Sequence, residues 1–281
     1  MQTHSQATAP ARKFHFISGL PRAGSTLLAA ILRQNPRFRA GMTSPIADVI
    51  GVLVAELSSK NDFSANISDG QRAAMLRGTV QSFYSVDPGA EVVFDTSRLW
   101  CSRLPMLAAL FPGSRVIACV REIQWILDSM ERLVREQPLN TSKVFKFNTN
   151  LTVYARAEAL TDPKGMVGFS YQAVKDAFYS PFAPDRLLLL TYESLTRDPR
   201  GAMQAVYRFI GEPWFEHDFE HLDYRADEFD ARVGLAGLHS IRPRVSEPHR
   251  DSALPPELFN RFVNQSFWLD PKNNIHKVPI V

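Results

Sequence analysis

The amino-acid sequence predicts an α/β fold in which helices flank a parallel sheet. Short runs of apolar and β-branched residues alternate with longer segments whose apolar residues recur at helical spacing. Two of the short runs, 115–120 and 186–191, are largely apolar on both faces, which is typical of strands in the middle of a parallel sheet. This alternation over 281 residues indicates a doubly wound sheet in a single domain.

The boundaries of the predicted elements follow from local signals. Asn35-Pro36 ends the first helix because the residue before a proline avoids helical backbone. Ser68 or Asp69 caps the third helix, and Gly211 stops the helix that begins at residue 200. The predicted strands are 13–18, 91–95, 115–120 and 186–191. The predicted helices are 25–34, 46–57, 69–84, 103–110, 123–134, 151–160, 169–179 and 200–210.

The two ends of the chain differ from this pattern. Residues 1–11 are polar and lack the apolar core of a signal peptide, so we expect a disordered tail over 1–12. Apolar content falls from Glu212 onward. We interpret that part as a cap of helices and loops over the site, within one domain of residues 13–281. The polar segment 144–150 is predicted to be a loop.

Composition limits the classes of partner. A net charge of +3 suits a pocket for an anionic small molecule, but it is too weak to argue for nucleic acid. Two cysteines cannot form a disulfide framework. The most apolar stretch, 46–57, carries two carboxylates and is too short to span a bilayer. We therefore expect a cytoplasmic protein without a membrane span. The oligomeric state stays open, with a dimer among the alternatives.

The loop after the first strand is the main candidate site. Gly19 and Gly24, followed by Ser25 and Thr26, have the spacing of a phosphate-binding P-loop between a strand and a helix. Glycines let the backbone curl so that successive N–H groups point at one anion, and the helix dipole adds positive charge. The sequence therefore predicts a P-loop-type parallel sheet with an anion site at the carboxyl ends of its strands. The alternative is a plain turn.

The loop departs from that of nucleoside triphosphatases. Ser25 stands where those proteins have lysine, and the basic residue Arg22 lies inside the loop instead. Apart from Asp95, no acidic residue stands at the end of a predicted strand as a partner for Mg²⁺. We therefore predict no metal. Arg22 is the candidate to bind a bridging oxygen on which charge develops as a bond breaks.

The run Gly19-Leu20-Pro21-Arg22-Ala23-Gly24-Ser25-Thr26-Leu27-Leu28 resembles the 5′-phosphosulfate loop of sulfotransferases that use 3′-phosphoadenosine-5′-phosphosulfate (PAPS). It is most similar to the tyrosylprotein-type and bacterial branches, which have Pro-Arg-Ser-Gly-Thr-Thr-Leu here. The resemblance implies PAPS as co-substrate and its desulfated form, PAP, as product. It also implies that the donor is held by Pro21, Arg22, Ala23, Gly24, Ser25 and Thr26.

A second segment, 111–121 followed by Ser129, is similar to the family's 3′-phosphate motif. The resemblance implies that Arg121 and Ser129 hold the 3′-phosphate of the donor. From the residues alone, Arg121 at the end of a buried strand suits a phosphate. Ser129 reads equally well as a helix surface residue.

Two further segments resemble the family less closely. Tyr192, after the last strand, is in the position to contact the adenine, and packing at the strand end is the alternative. The run 238–245 resembles a C-terminal loop that closes on the cofactor. The resemblance implies that Arg242 and Arg244 bind phosphate, and a solvated basic loop is the alternative.

The general base is where the chain departs from the family. Tyrosylprotein-type enzymes have a glutamate shortly after the first helix, whereas segment 41–45 here holds no carboxylate. Asp48 follows one turn later, and Asp95 ends a strand that should reach the same crevice. We favour Asp48 as base. The alternative for Asp48 is a carboxylate that only interacts favourably with the dipole of its helix. The alternative for Asp95 is a group that only holds Arg22 or Arg98.

Two other family features are also absent. The lysine that the family often has at the end of the 91–95 strand is missing, and Arg98 is the nearest cation. The histidine that cytosolic members carry on this strand is missing too. Of the seven histidines, His239 alone is predicted near the pocket, and there a loop residue without function is the stronger interpretation.

These observations favour in-line transfer of a sulfuryl group from PAPS to a hydroxyl of a small-molecule or peptide acceptor. One alternative is a P-loop kinase-like phosphotransferase, which Ser25 argues against. The other is a PAP- or PAPS-binding protein without catalysis, which the missing glutamate and lysine leave open. Residues 44–84 and 136–182 are predicted to line the acceptor pocket.

Overall fold

Parallel strands form the centre of the computed structural model, which describes residues 12–58, 62–86, 89–246 and 250–281. In that part of the chain the strands form one five-stranded sheet in the order β2-β3-β1-β4-β5. Every neighbouring pair is parallel. The predicted α/β fold with a parallel sheet flanked by helices is confirmed. The strands are β1 (Lys13–Gly19), β2 (Phe38–Ala40), β3 (Val92–Thr96), β4 (Val116–Val120) and β5 (Leu187–Thr191).

Helices connect and cover these strands. Most of their bounds lie within a few residues of the predictions. The helices are α1 (Ser25–Leu32), α2 (Ile46–Glu56), α3 (Asp69–Phe83), α4 (Leu104–Leu110), α5 (Ile123–Glu136), α6 (Val153–Thr161), α7 (Met166–Phe178), α8 (Ala183–Arg186), α9 (Tyr192–Arg197), α10 (Pro199–Ile210), α11 (Asp227–Val233) and α12 (Pro256–Arg261). Short 3₁₀ turns lie at Asp62–Asn66, Arg98–Arg103, Lys143–Phe145, Phe267–Leu269 and Pro271–Asn273.

Several elements differ from the predictions. The edge strand β2 was not predicted, because three residues are too short to show a period. Segment 144–150, predicted to be a loop, overlaps the end of a 3₁₀ turn and is otherwise irregular. Ser68, and not Asp69, caps α3: its hydroxyl accepts from the Gln71 N–H while the Gln71 side chain accepts from the Ser68 N–H.

Both ends of the described chain are tied to the sheet. The predicted disordered tail lies outside the described residues except for Arg12, whose Nε donates to the Ala90 carbonyl at 2.8 Å. At the other end, the Val281 N–H donates to the Leu189 carbonyl at 2.9 Å, and the Val281 carbonyl accepts from the Thr191 N–H at 2.7 Å. This last segment covers the open edge of β5.

The core lies on both faces of the sheet. All five residues of β4 are buried, as predicted for a central strand. Phe16 of β1 packs its ring against Trp100 at 4.9 Å between centroids. None of the helices in the described part of the chain is long and apolar enough to cross a membrane. Location in the cell stays a prediction.

Two histidines are buried in this core as neutral rings. The Arg115 N–H donates to Nδ1 of His15 at 3.1 Å, and Nε2 of His217 lies 3.0 Å from the Tyr207 hydroxyl. Burial lowers the pKa of each ring to about 4. The unfolded chain, with ordinary histidine pKa values near 6.5, therefore binds more protons than the folded chain between these limits.

We therefore predict that the free energy of unfolding falls as the pH drops from about 7 to about 5, by on the order of 1–2 kcal/mol for each buried histidine. Urea denaturation at the two pH values measures it. In His217→Gln the pH dependence should shrink. In the control His221→Gln, which changes an exposed histidine, it should not. Equal pH dependence in all three chains would contradict the prediction.

Candidate functional site

A cavity of about 660 Å³ opens at the carboxyl ends of the central strands, where parallel α/β folds bind ligands. The β1–α1 loop forms one wall, and the segments after β3 and β4 form the next. Residues 238–246 of the C-terminal part and Arg250 close the other side. The structure thus brings most of the predicted site residues to one cavity. Those that line it are Pro21, Arg22, Gly24, Ser25, Thr26, Asp48, Arg98, Arg121, Ser129, Tyr192, Arg242 and Arg244.

The backbone of the β1–α1 loop is held in unusual conformations. Gly19 has a φ of +112°, and a Cβ there would lie 2.1 Å from the Cys119 carbonyl oxygen. Arg22 has a φ of 57°, which is sparsely populated by residues other than glycine. No side chain caps α1 at Gly24, so N–H groups of its first turn remain available to an anion.

The side chain of Arg22 connects three parts of the chain. Its Nε donates to the Ser129 hydroxyl on α5 at 3.0 Å, and its Nη1 donates to the Leu238 carbonyl. Burial and the nearby charge of Arg121 lower its pKa to about 10, so the guanidinium stays charged at neutral pH. The anion loop, α5 and the C-terminal part of the chain therefore meet at one cation.

Two more guanidinium groups stand in the same cavity. Arg121 is buried with its Cζ 4.0 Å from the centroid of the Tyr192 ring, and its Nη1 donates to the Arg22 carbonyl at 3.3 Å. Arg250 pairs with the buried carboxylate of Asp128 at 2.6 Å. The Nε of each arginine is buried without a hydrogen-bond partner. Each such buried donor costs about 1–3 kcal/mol.

The other predicted donor contacts are less enclosed. Arg242 and Arg244 are exposed at the rim, and Arg244 pairs with Glu220 at 2.8 Å. Ala23 does not line the cavity: its methyl group is buried in the core, so the loop offers the backbone of Ala23 rather than its side chain.

Asp48 and Arg98 lie on the side of the cavity away from the β4 end. Asp48 is exposed in the first turn of α2. Desolvation lowers the pKa of Arg98, and the charge of Asp48 opposes this effect. Desolvation also lowers the pKa of Arg103, and the charge of Asp48 opposes this effect too. Asp48 thus sits in the field of two cations.

The prediction that Asp95 reaches the crevice is wrong. Its carboxylate is fully buried and does not line the cavity. It accepts hydrogen bonds from the Tyr84 hydroxyl at 2.6 Å, from the Trp100 indole N–H at 2.7 Å, and from the Ser44 hydroxyl. These donors compensate its burial, and among the described residues it forms no hydrogen bond or ion pair with Arg22 or Arg98. Asp95 joins β3 to the helices beside it.

Sequence reasoning missed two features of the cavity. One is Arg250, which no periodicity or motif singles out. The other is Asp230, which holds His239 through a 2.6 Å contact between Oδ1 and Nδ1. The two residues are nine positions apart on either side of a turn, so only the folded cap brings them together. Among the described residues, no three His, Cys, Asp or Glu side chains are grouped to hold a metal ion.

Comparison with known proteins gives consistent matches. Residues 15–216 match the sequence model of the Sulfotransferase family. The protein-tyrosine sulfotransferase 2 of Gallus gallus is 26% identical over 237 residues, which are 80% of this chain and 57% of the chicken protein. A putative protein-tyrosine sulfotransferase of Caenorhabditis briggsae is 23% identical over 223 residues, 76% of this chain and 71% of that protein. This chain thus spans little more than half of the chicken relative.

A solved structure has a similar fold. The sulfotransferase domain from the curacin biosynthetic pathway matches with a TM-score of 0.52 and 16% identity, over 92% of this chain and 98% of that domain. At 16% identity, this similarity shows a shared fold and no more. Together with the sequence matches, it confirms the family resemblance that the sequence predicted.

The geometry of the anion loop predicts a strong effect of Gly19→Ala. The added methyl group would meet the Cys119 carbonyl, and alanine disfavours a positive φ, so we expect a loss of on the order of 3 kcal/mol in the free energy of unfolding. Urea denaturation measures it. Gly113→Ala is the matched control, because a Cβ there meets nothing within 4 Å. Equal stability of the two variants would contradict the prediction.

Proposed function

Because this chain belongs to the sulfotransferase family, we propose that it transfers a sulfuryl group from PAPS to a hydroxyl of a small-molecule or peptide acceptor. The observation that carries the choice of donor is the pair of buried, unpartnered Nε groups of Arg121 and Arg250. These two arginines line the same cavity as the uncapped N-terminus of α1, so in this proposal the cavity holds two anionic groups. A donor with a phosphosulfate at one end and a phosphate at the other carries two such groups.

In the proposed reaction the β1–α1 loop holds the 5′-phosphate of the donor through backbone N–H groups. The acceptor oxygen forms a bond to sulfur while the bond from sulfur to the bridging phosphate oxygen breaks, and PAP leaves. Arg22 stabilises the charge that develops on that oxygen. Its Nη2 group donates to no described residue and is available for this contact.

The 3′-phosphate is assigned to Arg121, Ser129 and Arg250. Ser129 is buried and already contacts Arg22, and the ring of Tyr192 supports the Arg121 guanidinium from one side. We propose that Tyr192 also borders the adenine. Arg242 and Arg244 add positive charge at the rim, and Arg244 would exchange Glu220 for a phosphate oxygen.

The acceptor side is open to several substrate classes. The similarity to protein-tyrosine sulfotransferases makes a peptide tyrosine one candidate acceptor, but the match spans only part of those proteins. Arg98 supplies positive charge there. Two lining side chains have the chemistry to take the acceptor's proton, namely the carboxylate of Asp48 and the imidazole of His239.

Donor binding has a direct test. We predict that Arg121→Ala and Arg250→Ala each weaken PAP binding by more than about tenfold, because each removes a charged hydrogen-bond donor to a phosphate. Isothermal titration with PAP in EDTA measures the dissociation constants. Arg200→Ala is the matched control, since this exposed arginine pairs with Glu216 away from the cavity. Near-normal binding in both cavity variants would contradict the proposal.

Catalysis has a separate test. PAP should raise the melting temperature of the protein in EDTA. In a transfer assay with ³⁵S-labelled PAPS, the labelled sulfuryl group should pass to members of a panel of hydroxylated metabolites and tyrosine peptides. Arg22→Ala should lose about 100-fold or more in turnover, because it removes charge stabilisation at the breaking bond. Protection by Mg-ATP alone would favour a kinase. Protection by PAP without transfer to any acceptor would favour a binding protein.

A further inference from the structure

Asp230 holds His239 by two contacts. Its Oδ1 lies 2.6 Å from the His239 Nδ1, and its Oδ2 accepts the His239 backbone N–H at 2.9 Å. Asp230 is 2% exposed, and the pair joins α11 to the turn at 237–240. A carboxylate beside Nδ1 fixes the tautomer with the proton on Nδ1, because the carboxylate only accepts. The lone pair of the imidazole is then on Nε2.

The imidazole of His239 lies at the wall of the cavity. His239 lines the cavity together with Arg22 and Arg98, and Nε2 has no hydrogen bond to any residue that the structure describes. The Phe229 ring meets the imidazole edge to face at 5.3 Å between centroids and restricts its rotation. The imidazole is therefore held in place at the wall of the cavity.

The turn that carries His239 is attached to the anion loop. The Leu238 carbonyl accepts a hydrogen bond from the Arg22 guanidinium, and the Gly237 carbonyl lies 3.5 Å from the same nitrogen. The residue that directly precedes His239 is thus bound to the cation that we assign to the breaking bond. This attachment keeps the imidazole near the reacting end of the donor.

Burial, together with two nearby arginines, favours the neutral form of the ring. Burial lowers its pKa, Asp230 raises it, and the charges of Arg22 and Arg98 lower it further. A neutral imidazole at neutral pH can accept a proton, and Asp230 would then stabilise the imidazolium.

We propose that His239, oriented by Asp230, is the general base of the reaction. The inference rests on the proposed sulfuryl transfer. Nε2 takes the proton from the acceptor hydroxyl as its oxygen forms the bond to sulfur and PAP departs with the bridging oxygen. The imidazolium then gives the proton to solvent, and the products are PAP, a sulfate ester and one proton. His239 is a catalytic residue in this scheme, and Asp230 is a positioning residue.

This assignment replaces the predicted base Asp48. Asp48 is exposed, no hydrogen bond from a described residue fixes its carboxylate, and it faces the charges of Arg98 and Arg103. His239 has the opposite properties, since it is enclosed, oriented and backed by a carboxylate.

The experiment compares four variants of the whole chain, using the acceptor found in the transfer assay. His239→Gln should lose about 100-fold or more in kcat, in line with the usual contribution of a general base, and should keep its affinity for PAP. Asp230→Asn should lose about tenfold or more. His221→Gln and Asp218→Asn are the matched controls, because they alter an exposed His–Asp pair with the same type of contact at 3.0 Å. Both controls should transfer at the parent rate.

Two further readouts separate chemistry from folding. Added imidazole should restore part of the turnover of His239→Ala, which a folding defect would not allow. The ¹⁵N chemical shifts of the His239 ring should show the Nδ1–H tautomer in the parent chain and a mixture of both tautomers in Asp230→Asn. The melting temperature of Asp230→Asn tests whether the effect of this substitution is purely structural.

The outcomes distinguish the two proposals. A parent chain that transfers sulfate while His239→Gln does so at the same rate overturns the assignment of His239 and leaves the proposed function standing. Loss of turnover in Asp48→Asn with full turnover in His239→Gln would return the role to Asp48. A parent chain that binds no PAP and transfers to no acceptor overturns the proposed function, and the assignment of His239 with it.

Discussion

The contact between β1 and β4 at Gly19 is the constraint on which the site depends. Gly19 pairs with Cys119 in the register of the two strands, and the N–H of the next residue, Leu20, donates to the Cys119 carbonyl at 2.8 Å. The absence of a side chain at Gly19 allows this approach. The loop therefore begins directly beside the end of β4, and Arg121 reaches the carbonyl of Arg22. Arg22 from the β1–α1 loop and Arg121 from the segment after β4 thus lie next to each other at the candidate anion site.

The C-terminal part of the chain completes this arrangement. Backbone hydrogen bonds join its segments to one another, such as the bond from the Val245 N–H to the Phe219 carbonyl at 2.9 Å. Arg22 binds it to the anion loop. Like charges that crowd together in a partly desolvated cavity destabilise the folded chain. Asp128, Asp230 and the carbonyl of Leu238 offset that effect in the structure. The Nε groups of Arg121 and Arg250 remain without a partner.

The fold could be predicted further than the site. Strands β1, β4 and β5 follow from apolar runs, and the anion loop from its glycines, because these signals are local in sequence. The short strand β2 has no such signal and forms because β3 offers it an edge. Asp95 lies one residue before the end of β3, close to its predicted place, but the direction in which its side chain points depends on its neighbours, here Tyr84 and Trp100. Arg250 reaches the cavity, and Asp230 reaches His239 at its wall, only through the folded cap, which residue spacing does not encode.

The pairing of Arg250 with Asp128 has a consequence for sequence change over evolution. The Asp128 carboxylate is fully buried, and besides Arg250 it binds Arg132 at 3.2 Å and the Ala253 N–H at 2.6 Å. Loss of Arg250 would leave the buried carboxylate with Arg132 as its ion-pair partner, and loss of Asp128 would leave Arg250 and Arg132 without the carboxylate that they share, so either change alone is destabilising. Substitutions at positions 128 and 250 are therefore coupled. In related chains with this cap, the residues at these two positions should change together. Residue 128 should also vary less than its place in the middle of a helix suggests.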